Sequence, residues 1–194
     1  ESCFKAMSAD EMAALENKFD PFLIRNSLKI SLNRLLRTVL DHSVTSGQIL
    51  DFAGQLQSFA MTDPIAAMAA CLLDHHEEMR PVAHALNTAI LAALLADRLE
   101  WEKSRKNSLV CAALTMNLGM FELQQRLVRQ ATPLVPAQQS QVRAHPGASA
   151  EMLEKLGVAD PVWVAAVREH HEIPGGGGYP GGLAEPAVES QLLR

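Results

Sequence analysis

Residues 81–102 read PVAHALNTAILAALLADRLEWE, an apolar stretch several helical turns long. Ile90 and Leu91 are followed four positions later by Leu94 and Leu95. Side chains three or four positions apart lie on one face of an α-helix, so this spacing gives the stretch a continuous apolar face. We therefore predict one long helix over 81–102.

The rest of the chain has the same helical character. Ala, Leu, Met, Gln and Glu are frequent, aromatic residues make up only 5%, and runs alternating Val, Ile and Thr are missing. We predict an all-α fold. Over 24–39 apolar residues recur at helical spacing, and Arg25, Lys29 and Arg37 fall on other faces. This pattern favours a core-facing stripe with a solvated basic side.

Short polar, proline and glycine segments are expected to separate the helices. Ser46-Gly47 is predicted to break the helix over 24–39, and Thr62-Asp63-Pro64 to start the next, since proline is tolerated in a first helical turn. His145-Pro146 and Gly157 are predicted to end two later helices. Further helices are predicted over about 8–18, 108–116, 137–144, 149–156 and 161–172.

Length and charge restrict the function classes. A chain of 194 residues suits one ordinary core with a helical attachment, and we predict an N-terminal helical region over 1–70 and a main domain over 71–194. The net charge of -5 argues against an extended surface for a nucleic acid polymer. The longest apolar stretch, 89–96, is far shorter than the roughly 20 residues that span a bilayer.

The cysteines and the termini give two further expectations. Cys3, Cys71 and Cys111 are odd in number and far apart, which indicates neither a disulfide framework nor a thiolate metal site. With no signal peptide visible, we expect a cytoplasmic location. The sequence opens on Glu1 and stops at Arg194 in mid-pattern, which predicts a piece of a longer protein.

A second stretch, HHEIPGGGGYPGGL at residues 170–183, carries the candidate chemistry. Adjacent histidines can serve one metal centre if the helix that carries them ends there, and a glycine run lets the backbone fold back over it. Two more histidines belong to this hypothesis. His84 lies early in the long helix, and His145 precedes Pro146.

The order of these motifs resembles the HD-GYP branch of the HD phosphohydrolase superfamily, over about residues 77–194. The resemblance rests on Pro133-Leu134-Val135-Pro136 followed after a helix by His145-Pro146, on residues 147–153, and on His170-His171-Glu172 joined to 178–183. It implies an HD-domain-like helical bundle with an N-terminal extension. It also implies hydrolysis of cyclic di-GMP with two or three iron or manganese ions, which hard carboxylate and imidazole ligands suit.

The match fails at its centre. Where the family has its His-Asp pair, this chain has Met116 and Asn117, and Met120 replaces a lysine that would face the phosphate. A thioether is a poor ligand for manganese or ferrous ions, and an amide supplies no negative charge. Arg80, one turn before His84, stands where some relatives carry a ligand glutamate.

The resemblance leaves four candidate ligands and predicts that they converge beside Asn117, with Glu172 and Arg80 next to them. These ligands are His84, His145, His170 and His171. The expected cofactor is none, or a single weakly held iron, manganese, zinc or nickel ion. Alternatively, the histidines only form hydrogen bonds with Asn117, Glu172 and backbone carbonyls. The segment 75–78 either supplies a substitute ligand or is a solvated helix start.

These observations predict a degenerate, catalytically inactive HD-GYP-like regulatory or docking module in bacterial cyclic di-GMP signalling. The resemblance implies that Gly178, Tyr179 and Pro180 contact a diguanylate cyclase (GGDEF) domain or another signalling protein, with a homodimer as a further option. Tyr179 is expected to be exposed on its turn. The alternatives are a metal-dependent phosphohydrolase with an atypical centre, and a structural module related to HDOD domains, against which the Gly-Tyr-Pro turn counts.

Overall fold

The computed structural model describes residues 20–41, 43–73 and 79–194. These residues form helices and no strand, which confirms the all-α prediction. The helices are α1 (Pro21–Leu40), α2 (Ser46–Thr62), α3 (Pro64–Leu72), α4 (Arg80–Arg98), α5 (Lys103–Thr115), the 3-10 turn Leu118–Met120, α6 (Phe121–Leu127), α7 (Pro136–Lys155), α8 (Pro161–Glu169) and α9 (Val188–Leu193). The helix predicted over 8–18 and the segment 75–78 lie outside the described residues.

None of the described helices combines the length and the apolar character needed to cross a membrane. The core is built around α4, which packs most extensively on α5. Ala89 and Ala93 of α4 and Ala112 and Ala113 of α5 are buried, and their small side chains let the two helices approach closely. One cluster of buried apolar residues runs from α1 to α9. The domain boundary near residue 70 stays a prediction.

Helix α1 packs its predicted apolar stripe inward, but its basic side is not solvated as expected. Leu32 and Leu36 are buried, and so are Arg25 and Lys29, each 3% exposed. The Arg25 guanidinium donates two hydrogen bonds to Asn87 Oδ1 on α4, from Nε at 3.1 Å and from Nη2 at 2.6 Å. The prediction was wrong for these two residues, and for Arg25 the reason is a polar partner on α4 that lets a cation enter the interface.

Helix α4 ends at Arg98, four residues before the predicted end. The Glu100 N–H donates to Asp97 O at 2.9 Å and the Trp101 N–H to Ala96 O at 3.0 Å, the paired bonds of a Schellman motif. Glu100 has the left-handed φ of 55° that this motif requires. The apolar run also reaches solvent, since Leu91 is 44% exposed.

Other boundaries differ from the prediction as well. Ser46-Gly47 does not end α1 but begins α2, because Thr45 and Gln48 form a capping box there. Pro64 begins α3 behind the cap of Asp63, as predicted. Helix α5 begins at Lys103 rather than near 108, and α8 ends at Glu169 rather than near 172.

The largest difference is in α7. Two helices were predicted on either side of His145-Pro146, and the structure has one helix, Pro136–Lys155, that continues through Pro146. A proline inside a helix removes one backbone hydrogen bond and costs roughly 3 kcal/mol, so tertiary packing offsets a local preference here. Leu153 is fully buried against the core.

Candidate metal centre

Three histidines meet where α7 packs against the end of α8. His145 lies on α7, His170 is the C-cap residue of α8, and His171 follows it. His145 and His170 are 0% and 2% exposed, and the Nε2 atoms of these two rings lie 3.1 Å apart. One ring nitrogen from each of the three histidines lies within 4.8 Å of the others. The predicted convergence is therefore seen for three of the four candidates.

Helix α8 is held in place by a buried hydrogen bond to α5. Trp163 Nε1 donates to Thr115 Oγ1 at 2.8 Å, and Thr115 Oγ1 donates to Cys111 O at 2.7 Å. The Asp160 carboxylate caps the N-terminus of α8 by accepting from the Val162 and Trp163 amides. These contacts anchor the N-terminal turn of α8, the helix whose C-cap residue is His170.

Backbone carbonyls orient the two buried rings. His145 Nδ1 donates to Val142 O at 2.5 Å, and His170 Nδ1 donates to Val167 O at 2.7 Å. When Nδ1 carries the proton, Nε2 of a neutral imidazole keeps its lone pair. The bonding pattern therefore assigns both rings the tautomer whose Nε2 atoms face each other.

Burial keeps these rings neutral at pH 7. Desolvation lowers the pKa of His145 to about 4, against the opposing effect of Val142 O, and the charge of His171 lowers it further. The pKa of His170 is lowered to about 3, again chiefly by desolvation. Neutral imidazole is the metal-binding form of histidine.

The three histidines fit a divalent ion. Two neutral Nε2 lone pairs facing each other at 3.1 Å repel each other unless a cation lies between them. A tetrahedral zinc ion with Zn–N bonds of about 2.0–2.1 Å separates two ligand nitrogens by about 3.3 Å. The observed separation is close to that value, so His145 and His170 would hold such an ion together with His171.

His84 does not join this cluster, and the place of Arg80 beside it stays a prediction. His84 is an exposed residue in the first turns of α4 and lies outside the group of nitrogens within 4.8 Å. It is nevertheless near, because its charge contributes to lowering the pKa of His170 and His171. Arg80 lines a separate cavity of about 410 Å³ beside Arg129. A ligand role for His84 stays a prediction.

The segment around Met116 and Asn117 packs on α7 at the level of His145. The Gly119 N–H donates to Ser149 Oγ at 2.9 Å, and the Ser149 hydroxyl donates to Met116 O at 2.8 Å. A Cβ on Gly119 would lie only 2.8 Å from His145 O. Met116 and Asn117 are buried beside this contact. Sequence reasoning missed Ser149, for which the sequence gives no signal.

A cavity of about 530 Å³ opens between α6 and α7 on the other side of this contact. Met120, Phe121, His145 and Met152 are among its lining residues. Its volume is in the range of ordinary small-molecule pockets, about 300–1,000 Å³. Met120, predicted to replace a lysine that would face a phosphate, is one of the residues that line this cavity.

Glu172 faces the Gly-Tyr-Pro loop instead of the histidines. Its buried carboxylate accepts from the Gly181 and Gly182 amides through Oε1, at 2.5 and 3.1 Å, and from the Leu183 amide through Oε2 at 2.8 Å. Gly178 packs so closely that a Cβ there would overlap the backbone of Glu172. Glu172 was predicted to lie next to the histidines, and the three hydrogen bonds show that its carboxylate clamps the loop.

The clamp folds Tyr179 back over the histidines. The Tyr179 ring stacks on His171, with ring centroids 4.6 Å apart and planes 17° from parallel, and the Arg143 guanidinium lies 5.8 Å from the tyrosine centroid. Tyr179 is half-buried, not exposed as predicted. The difference follows from the three Glu172 hydrogen bonds, which the sequence pattern did not indicate.

A family model described as HD domain matches residues 60–193, well over half of the chain. Comparisons with curated proteins and with solved structures found no match. The matched range includes the three clustered histidines, the segment around Asn117 and the Gly-Tyr-Pro loop. It begins before residue 71, where the main domain was predicted to start.

Proposed function

This chain belongs to the HD domain family, and we propose that it is a degenerate HD-GYP-like module of bacterial cyclic di-GMP signalling, without phosphodiesterase activity. The observation that carries the proposal is the content of the histidine cluster. Among the described residues it contains His145, His170 and His171 and no carboxylate. Met116 and Asn117 stand at the position where the family would supply an imidazole and a bridging aspartate.

Electrostatics limit such a site to a single ion. Two divalent cations about 4 Å apart repel each other strongly, and a bridging carboxylate normally offsets that repulsion. Three neutral imidazoles contribute no negative charge. All-imidazole sites favour zinc, nickel or iron over manganese. A bound ion would supply Lewis-acid chemistry. The Val142 and Val167 carbonyls would orient the His145 and His170 rings towards that ion.

The docking part of the proposal is that Gly178, Tyr179 and Pro180 contact a diguanylate cyclase domain of another protein. Two observations support it. The Glu172 clamp holds the loop in one conformation, so little conformational entropy would be lost on binding. Tyr179 is half-buried and carries a polar hydroxyl on an apolar ring, a combination frequent at the centre of interfaces.

The catalytic part is tested with purified protein and cyclic di-GMP in the presence of manganese or ferrous ion. We expect negligible hydrolysis, and at most one tightly bound metal per chain by elemental analysis. The double substitution Met116→His, Asn117→Asp should raise manganese occupancy, because it restores one imidazole and one carboxylate. Robust turnover by the unaltered protein, abolished both by a chelator and by His171→Ala, would contradict the proposal.

That contrary outcome would favour a second candidate function, a phosphohydrolase with one metal ion. The cavity of about 530 Å³ that His145 helps to line is the observation in its favour, since its volume suits a small phosphate ester. The two candidates differ in one measurement. Only the second predicts that zinc-loaded protein hydrolyses a phosphodiester faster than zinc-free protein.

The docking part is tested by titrating a purified GGDEF domain with the wild type, Tyr179→Phe and Tyr179→Ala in a calorimeter. Phe retains the stack on His171 and removes only the hydroxyl, whereas Ala removes the contact area. We expect Ala to weaken binding at least tenfold and Phe to have a small effect. Equal affinities for the wild type and Tyr179→Ala would exclude this loop as the docking surface. Self-association that Tyr179→Ala abolishes would identify a homodimer instead.

A further inference from the structure

Pro146 lies inside α7, where its missing N–H has a specific consequence. In an α-helix the amide of each residue donates to the carbonyl four positions earlier, so a residue at 146 would normally occupy Val142 O. Proline cannot donate. The Val142 carbonyl is therefore left without its helical donor, and His145 Nδ1 donates to it at 2.5 Å.

We propose that Pro146 is a positioning residue that sets the tautomer of His145. By withholding an amide from Val142 O, it leaves that carbonyl to the His145 ring, which must then carry its proton on Nδ1 and keep Nε2 free for a metal ion. The inference rests on the proposed metal site.

The hydrogen bond to Val142 O is needed because free imidazole prefers the other tautomer. In water the neutral histidine side chain favours the proton on Nε2, the form that cannot bind a metal through that atom. His145 is fully buried, so water is not available to satisfy Nδ1. A free carbonyl within reach of Nδ1 is thus the contact that selects the metal-binding tautomer.

His170 obtains the same orientation without a proline. Helix α8 ends at Glu169, so Val167 O is among the last carbonyls of the helix, which lack helical donors. His170 Nδ1 donates to it at 2.7 Å. One ring uses a carbonyl freed by a helix end, and the other, in the middle of α7, uses a carbonyl freed by Pro146.

The test is the substitution Pro146→Ala, for which two effects of opposite direction are expected. Alanine restores the amide and removes the ring's clash with the preceding turn, so Tm should rise. The new amide competes with His145 for Val142 O, so zinc affinity should fall about tenfold to a hundredfold, the usual effect of losing a contact that orients a metal ligand. Tm is followed by circular dichroism, and zinc affinity by competition with a chromophoric chelator.

The tautomer itself is read from the ring-nitrogen chemical shifts of 15N-labelled histidine in the zinc-free protein. Wild-type His145 should carry its proton on Nδ1, and Pro146→Ala should shift the population towards Nε2. Pro136→Ala is the matched control, because Pro136 begins the same helix, where an amide has no helical acceptor. It should change neither the tautomer nor the zinc affinity.

The outcomes separate this inference from the function on which it rests. A wild type that fails to bind zinc would overturn the metal site, while the tautomer of the zinc-free protein would still test the role of Pro146. A proton on Nε2 of wild-type His145 would overturn that role whether or not the variant folds. Unchanged zinc affinity and an unchanged tautomer in folded Pro146→Ala would overturn it as well.

Discussion

The substitution Glu172→Gln tests the clamp on the Gly-Tyr-Pro loop with almost no change of shape. The carboxylate accepts three backbone hydrogen bonds, two through Oε1 and one through Oε2. A glutamine can keep its carbonyl oxygen towards Gly181 and Gly182. Its amide nitrogen then faces the Leu183 N–H, so two donors oppose each other where a bond existed.

The size of the effect follows from these contacts. A hydrogen bond to a charged group contributes about 1.5–3 kcal/mol, and a neutral one about 0.5–1.5 kcal/mol. Glu172→Gln loses one charge-assisted bond and weakens two others, but the released amides belong to exposed residues and become hydrated. We therefore expect the free energy of unfolding to fall by about 2–3 kcal/mol. Glu172→Ala, which removes all three bonds, should cost about 3–5 kcal/mol.

Urea unfolding followed by tryptophan fluorescence measures these values, since Trp163 is buried in the core. Hydrogen exchange of the 181–183 amides reports the loop directly, and it should accelerate in both variants. Glu185→Gln is the matched control, because Glu185 is an exposed carboxylate close to the same loop. A Glu172→Gln variant no less stable than this control, with the 181–183 amides still protected, would refute the clamp.

Two further predictions concern the packing and the charge of the site. Gly119→Ala should lower the free energy of unfolding by about 1–3 kcal/mol, because the new Cβ would lie within 2.8 Å of both Ala148 Cβ and His145 O. Urea unfolding measures this difference, and an unchanged free energy of unfolding would contradict the close approach. In metal-free protein, the free energy of unfolding should fall as the pH drops from about 6.5 towards 3. The unfolded chain takes up protons there, whereas folded His145 and His170, with pKa values of about 4 and about 3, do not. Urea unfolding should therefore give values several kcal/mol lower at pH 4 than at pH 7.

The two Schellman motifs show how far the sequence predicts the fold. Gly157, with φ at 79°, ends α7 in this motif, as the sequence predicted. Glu100 takes the same left-handed position after α4 with φ at 55°. Nothing in a glutamate signals this conformation, because the bonds to Ala96 and Asp97 that stabilise it depend on how α4 and the following turn pack. Helix existence was therefore predictable, and this boundary was not.

The candidate site was likewise predictable only in part. The sequence identified His145, His170 and His171 because their residue types and order carry the chemistry, and the structure brings them together. It did not identify the role of Glu172 or the stacked position of Tyr179. Those depend on backbone amides folded back by the glycine run, and backbone donors have no signature in the identity of the residues that carry them.

Backbone contacts hold the segment around Met116 and Asn117 against α7. Ser149 bridges the segment through the Met116 carbonyl and the Gly119 amide, both of them backbone atoms. The requirement at Gly119 is the absence of a side chain. None of these contacts uses the side chain of Met116 or Asn117, although both side chains are buried and Met116 belongs to the core. Those backbone contacts make Met116→His with Asn117→Asp informative, because they anchor the segment beside His145 through atoms that the two substitutions leave in place.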